Sequence, residues 1–265
     1  MKNFFAIATA GIMLLGMQPS RAQTRVILDN YFNHETNPKT GEPFHYLWTD
    51  QANSGFSKWG DILKKKGAVL ETLKEAPTAA NLKKAAIYII VDPDTTSENP
   101  SPNYILPVDI KEIVGWVKKG GVLVLLGNDI GNCEFNHLNQ LAENFGMVFN
   151  AVSLYHVTDH HYEMGAISPL PSHPVFKGVN KIYLKDISSF TLSGQAKPVL
   201  VDKDHNVLMA ENHIGKGFVF AVGDPWIYNE YIDNHILPKD IHNYKAAENL
   251  SDYLMARTRS KKGGK

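Results

Sequence analysis

The sequence predicts an α/β domain: a doubly wound parallel sheet with helices on both faces and a small antiparallel β extension. Three observations predict it. From Arg25 to Val152, short apolar runs alternate with stretches of helical apolar spacing, which is the pattern of βαβ units. Ala85 to Val91 and Val122 to Leu126 are apolar nearly without a break, as strands covered on both faces must be. Four apolar runs end in polar turns, at Asp29-Asn30, Asp92-Pro93-Asp94, Gly127-Asn128-Asp129 and Gly223-Asp224-Pro225. In a parallel sheet those turns share one edge, where open α/β sheets hold their ligands.

Arg25 to Leu28 is the first expected strand, followed by a long aromatic loop that runs through Pro38, Gly41 and Pro43 to Tyr46, Trp48 and Asp50. A loop this long within a compact domain is expected to be functional. Phe56, Trp59, Ile62 and Leu63 have helical spacing and Gly67 is the stop signal, with a strand next at Ala68 to Leu73. The strand from Ala85 to Val91 precedes a helix opened by Pro107, with its buried stripe at Ile110, Ile113, Val114 and Val117. Gly120-Gly121 ends that helix, and the strand from Val122 to Leu126, a helix from about Glu134 to Phe145 and a strand from Met147 to Val152 follow. From there to residue 214 the rhythm becomes short β pieces, at Lys181 to Leu184, Ser188 to Leu192, Pro198 to Asp202 and Val207 to Glu211. These form the expected extension, which rejoins the main sheet at Phe218 to Val222. An amphipathic helix from Ile241 to Arg257 closes the domain, and residues 260–265 read as a disordered tail.

Within the 265 residues, Lys2, the apolar run from Phe4 to Met17 and Ser20-Arg21-Ala22 have the layout of a signal peptide cut near Ala22. The domain therefore spans residues 23–259, and the chain is expected in the periplasm or outside the cell. The apolar run is shorter than the roughly 20 residues a membrane span needs, so no membrane span is expected. Lys plus Arg and Asp plus Glu both number 27, with neither sign in long blocks, which argues against nucleic acid as a partner. Cys133 is the one cysteine and has no basic neighbour in sequence, so it reads as a buried inert thiol. There is no P-loop, no Gly-x-Gly-x-x-Gly after the first strand and no Gly-x-Ser-x-Gly elbow, and no cofactor is expected.

The densest cluster of polar and aromatic groups follows the last strand: Asp224, Trp226, Tyr228, Asn229, Glu230, Tyr231 and Asp233. Three chemistries could use a crevice at the strand ends. Carboxylates such as Asp224 or Asp92 with Glu230 could act as acid and base on a glycosidic bond. Asp29, Asp92, Asp94 and Asp129 could hold a hard cation, although no EF-hand spacing is present. Asp29, Asn30, Tyr31, Asp94, Asn128, Asp129 and Asn229 could bind sugar hydroxyls while Trp48, Trp226, Tyr228 and Tyr231 stack on sugar faces. His156 and His160 have the i, i+4 spacing of a zinc pair, but with His161 they lie in sequence that does not read as a helix, and no metal is expected.

Across Arg25 to Val152 and again at Gly215 to Asn229 the chain resembles the class I glutamine amidotransferase-like, flavodoxin-like superfamily. In active members the strand matching Val122 to Leu126 leads into an elbow with a nucleophilic cysteine. Here the elbow is Gly127-Asn128-Asp129, and Cys133 comes too late to replace it. Leu28-Asp-Asn-Tyr-Phe-Asn33, His173-Pro-Val-Phe-Lys-Gly178 and Gly215 to Tyr231 are similar to an amidotransferase-like domain of unknown function found in Bacteroidetes, often appended to unsaturated rhamnogalacturonyl hydrolases. The resemblance implies a flavodoxin-like fold and an exported role in pectin-type polysaccharide breakdown, without glutamine hydrolysis. The expected function is an accessory module that binds acidic, rhamnogalacturonan-type oligosaccharide. The alternatives are a glycoside hydrolase working through Asp224, Glu230 and Asp92, and a docking domain for a separate hydrolase.

Overall fold

The computed structural model describes residues 23–259, so the expected signal peptide and the 260–265 tail lie outside the described residues. In chain order the elements are β1 (Thr24–Asp29), α1 (Ser57–Lys65), β2 (Ala68–Leu73), α2 (Ala79–Leu82), β3 (Ile87–Val91), α3 (Pro107–Lys118), β4 (Val122–Leu126) and α4 (Phe135–Ala142). Then come β5 (Met147–Leu154), β6 (Ala166–Ile167), β7 (Ile182–Tyr183), β8 (Ile187–Leu192), β9 (Lys197–Val201), β10 (Val207–Ile214), β11 (Gly217–Val222), α5 (Asn229–Ile232) and α6 (Asn243–Arg259).

One nine-stranded mixed sheet runs in the order β2-β1-β3-β4-β11-β10-β8-β5, with β9 paired to β10. β2, β1, β3, β4 and β11 are parallel to one another, and β10, β9, β8 and β5 pair antiparallel. β6 and β7 form a separate two-stranded pair. Strands β3, β4 and β11 are buried along their whole length, which explains their uninterrupted apolar sequence. Alternate residues serve opposite faces. Val26, Leu28, Ile89, Val91, Val124, Leu126 and Phe220 pack under Trp59, Ile62 and Leu63 of α1 and Ala247, Leu250 and Leu254 of α6. Ile27, Tyr88, Ile90, Leu123, Leu125 and Val219 pack under Ile113 and Val117 of α3 and Leu138 and Leu141 of α4.

The helices start where local chemistry allows. Pro107 opens α3 and the Asp109 carboxylate accepts the Leu106 N–H at 2.9 Å. The Glu134 side chain accepts the N–H groups of Asn136 and His137 and so caps α4.

The expected antiparallel extension rejoins the main sheet at β11, where β10 pairs along that strand and carries the sheet onward. One expectation is corrected. The strand beginning at Met147 does not belong to the parallel half: it lies antiparallel to β8 at the far edge, with Met147 opposite Leu192. Its alternating burial is that of an edge strand with one solvated face, whereas β3, β4 and β11 are covered on both. Among the described residues no helix is long and apolar enough to cross a membrane.

Candidate functional site

The register places the site. Val91, Leu126 and Val222 stand in one row across β3, β4 and β11, so Asp92, Gly127 and Gly223 leave the sheet side by side. Close approach demands both glycines. A Cβ on Gly223 would lie 2.0 Å from the Ser188 carbonyl oxygen, and one on Gly127 would lie 2.6 Å from the Phe149 ring. Beyond this row is a pocket of about 170 Å³ lined by Tyr46, Asn128, Asn132, Lys185, Asp186, Asp224, Pro225 and Tyr228. Tyr46, Asp186 and the neighbouring Asp92 hold φ angles of 49°, 46° and 42°, a region that side-chain-bearing residues rarely adopt. Such strain is found where a structure fixes functional groups.

Two buried acids stand at this pocket. Asp92 Oδ2 accepts the Tyr46 hydroxyl at 2.9 Å and the Asn128 side-chain amide at 2.8 Å. Its Oδ1 is buried with no partner among the described residues. Burial, opposed by those hydrogen bonds, holds its carboxyl well above the usual carboxylate range. Asp224 accepts the backbone N–H of Trp226 at 3.1 Å and of Lys185 at 3.2 Å, and burial raises its carboxyl to about 8. Asp224 therefore largely keeps its proton at pH 7, and burial favours the neutral form of Asp92 in the same direction. At the rim, Lys185 Nζ lies 3.2 Å from Asp186, and His156 Nδ1 lies 2.7 Å from the same carboxylate.

The structure brings only part of the expected set together. Asp224, Asn128 and Tyr228 line the pocket and Asp92 bonds to two of its walls. Asp129 acts from behind, accepting the Asn132 amide at 2.6 Å and so setting the loop that carries Asn132. Asp29 faces the other side of the sheet, where it accepts the Tyr88 hydroxyl at 2.6 Å and the Phe32 N–H at 2.7 Å, and burial lifts its carboxyl to about 7. Asn30 donates to the Asn33 carbonyl, whose own side chain reaches the Asp92 carbonyl at 2.6 Å and latches the two strand exits together. Tyr31 packs on that same far face and Asp94 accepts from His34 N–H and Asn99. Glu230 does not line the pocket; its N–H binds the Asn53 carbonyl at the start of α5.

Three aromatic or amide assignments are corrected. Trp226 is 1% exposed and Trp48 8% exposed, so their rings are part of the core and not platforms for a sugar. Trp48 packs against Trp59 with centroids 5.6 Å apart, and its indole donates to the Glu71 carbonyl. Asn229 is a clamp. Its amide donates to the carbonyls of Asp50 and Ala52, and its Oδ1 accepts the Lys58 N–H at 3.0 Å, capping α1 from a distant segment. Asn229→Ala removes these part-buried hydrogen bonds and is expected to cost about 1–3 kcal/mol in urea unfolding.

Lys185, Asp186, Asn132 and Tyr46 went unread as site residues. Tyr46 carries a signal, the aromatic density of its loop, but the others reach the pocket through tertiary turns that have no local pattern. The histidines of that segment turn to separate partners: His156 to Asp186, His160 to Tyr162 and His161 to Glu163. Among the described residues no group of three His, Cys, Asp or Glu side chains could hold a metal ion.

A family model described as a domain of unknown function, DUF4350, matches residues 49–236. No curated protein matches the chain. Among solved structures, the mmIFT52 N-terminal domain aligns with a TM-score of 0.67 at 13% identity over 88% of this chain and 97% of that one. The cytoplasmic protein STM1381 of Salmonella typhimurium LT2 aligns with a TM-score of 0.58 at 14% identity over 88% and 98%. STM3548 of Salmonella typhimurium follows at 0.56, 15% identity, 87% and 98%. At these identities the likeness is one of fold alone.

Proposed function

We propose that this chain, which belongs to the DUF4350 family, is an exported binding domain that takes the acidic end of a pectin-type or rhamnogalacturonan-type oligosaccharide in the strand-end pocket, as an accessory to polysaccharide degradation. One observation carries the reading: two carboxyl groups whose neutral form burial favours, Asp92 and Asp224, stand at a small polar pocket whose rim supplies Lys185. A neutral carboxyl both donates and accepts hydrogen bonds and does not repel an anion. Asn128 and Asn132 add amides for hydroxyl groups, and Lys185 adds the positive charge that a uronate requires. The finer kinship, flavodoxin-like and amidotransferase-like, belongs to the same proposal. It is supported by the order β2-β1-β3-β4-β11, which follows the 2-1-3-4-5 order of flavodoxin-like sheets. Glutamine hydrolysis is not part of it, since Asn128 follows Gly127 at the elbow and the buried Cys133 thiol is pushed well up.

A second, enzymatic reading is favoured by Asp224, whose proton is retained to about pH 8 as a general acid requires. Asp186, which lines the pocket, and not Glu230, would then be its partner.

Calorimetric titration with trigalacturonate and with rhamnogalacturonan oligosaccharides, followed by chromatography of the same mixtures, separates the two readings. Saturable heat without products is expected, with Lys185→Ala weakening the binding of uronates at least tenfold, roughly 1.4 kcal/mol. Products that vanish in Asp224→Asn would replace the module with the enzyme. Absence of both heat and products would overturn both carbohydrate readings.

A further inference from the structure

A second cavity, of about 600 Å³, lies between α2 and α3 beside the N-terminal ends of β3 and β4, at the sheet edge opposite the pocket above. That volume is within the usual range for small-molecule sites, about 300–1,000 Å³. Its walls include Lys83, Lys111, Glu112, Gly115, Trp116 and Lys119.

Three features of the cavity go beyond what helix packing needs. Lys111 and Gly115 stand at i and i+4 on α3, Lys119 follows at its C-cap, and Lys83 joins them from the C-cap of α2. These three lysines are exposed and none has an ion-pair partner among the described residues, so all three charges are available to a ligand. Trp116 is half-buried while Trp48, Trp59 and Trp226 are at 8%, 0% and 1% exposure. Its ring is seated firmly: a Cβ on Gly121 would lie 2.4 Å from it, and Tyr88 meets it at 89° with centroids 6.3 Å apart. Gly115 sits inside a helix, where glycine costs about 0.5–1 kcal/mol against alanine. No packing contact calls for it, since a Cβ there would meet nothing within 4 Å. The missing side chain instead leaves the cavity floor open.

We propose that the α2–α3 cleft is a binding site for a small planar aromatic carboxylate, its ring lying against Trp116 over Gly115 and its carboxylate among Lys83, Lys111 and Lys119. Charge and shape set this class: three uncompensated cations against the single acid Glu112, and a flat indole beside open helix backbone. The site is independent of the strand-end pocket.

The test is titration of the full chain with 2-naphthoate, followed by tryptophan fluorescence, which Trp116 as the accessible indole reports. Saturable one-site quenching is expected, with neutral 2-naphthalenemethanol binding at least tenfold more weakly. Gly115→Leu fills the cleft and raises helix propensity, so it is expected to weaken 2-naphthoate at least tenfold with no loss in the urea midpoint. Replacing Lys83, Lys111 and Lys119 together by alanine is expected to do the same. Quenching that never saturates, or saturation that is the same in both variants as in the parent, overturns the proposal.

Discussion

Trp226→Ala is expected to destabilise the fold by about 3–5 kcal/mol, the cost of emptying a large core site. The sequence places this tryptophan in the polar turn after the last strand, where it reads as a platform for a ligand. The structure buries it to 1% exposure in the face shared with α1 and α6. Its Nε1 has no hydrogen-bond partner among the described residues. A buried donor without an acceptor costs about 1–3 kcal/mol, so Trp226→Phe removes a penalty along with the lost packing and is expected to cost clearly less than the alanine change. Urea unfolding followed by circular dichroism measures both. An alanine variant as stable as the parent that has lost oligosaccharide binding would restore the platform role and remove the packing account.

The contrast between Trp226 and Asp224 shows how far sequence carries the site. Each apolar strand that ends in a polar turn is visible as a local pattern, and parallel pairing then forces those turns to one edge. Asp92, Asn128 and Asp224 are therefore legible, and the observed row of Val91, Leu126 and Val222 is why. Direction is not legible. Whether a side chain after the turn points to the pocket, the core or a neighbouring helix depends on backbone angles such as the φ of 42° at Asp92, which composition does not encode. Asn229 and Trp226 lie close to Asp224 in sequence, yet one clamps α1 and the other fills the core. Lys185 and Asp186 are hidden for another reason: the short strand before them, β7, is legible as an apolar piece but pairs with β6 outside the main sheet, so nothing in the sequence brings its exit to the parallel strand ends. The same weakness moved Met147–Leu154 from the parallel half, since strand propensity is silent on the direction of pairing.

Stability is expected to fall as pH rises from about 4 to 8, and Asp92→Asn is expected to flatten part of that fall. The sign follows from burial. Asp29, Asp92 and Asp224 all have folded carboxyls raised above 3.8, to about 7 for Asp29 and about 8 for Asp224. Below the unfolded value both states hold the proton and the fold keeps its full stability. Above it the unfolded chain releases the proton while the folded chain retains it, and each group removes about 1.4 kcal/mol per pH unit until its folded value is passed. Glu211 and Asp233, whose carboxyls are lowered, act in the opposite direction but only in more acid solution. Asp92 is the position to test because its Oδ2 alone accepts both Tyr46 and Asn128 while Oδ1 has no partner. An asparagine can keep both accepted bonds on one oxygen and place its amide where Oδ1 stood. At Asp224 the two oxygens each accept a backbone N–H, so an amide there would oppose one of them. Any packing cost of Asp92→Asn is independent of pH and leaves the slope untouched. In urea unfolding at pH 5 and pH 8, the variant is therefore expected to gain on the parent as pH rises. Parallel pH profiles for the two proteins would show that Asp92 is ionised in the folded state, and the neutral pocket proposed for an acidic ligand would lose one of its two carboxyl groups.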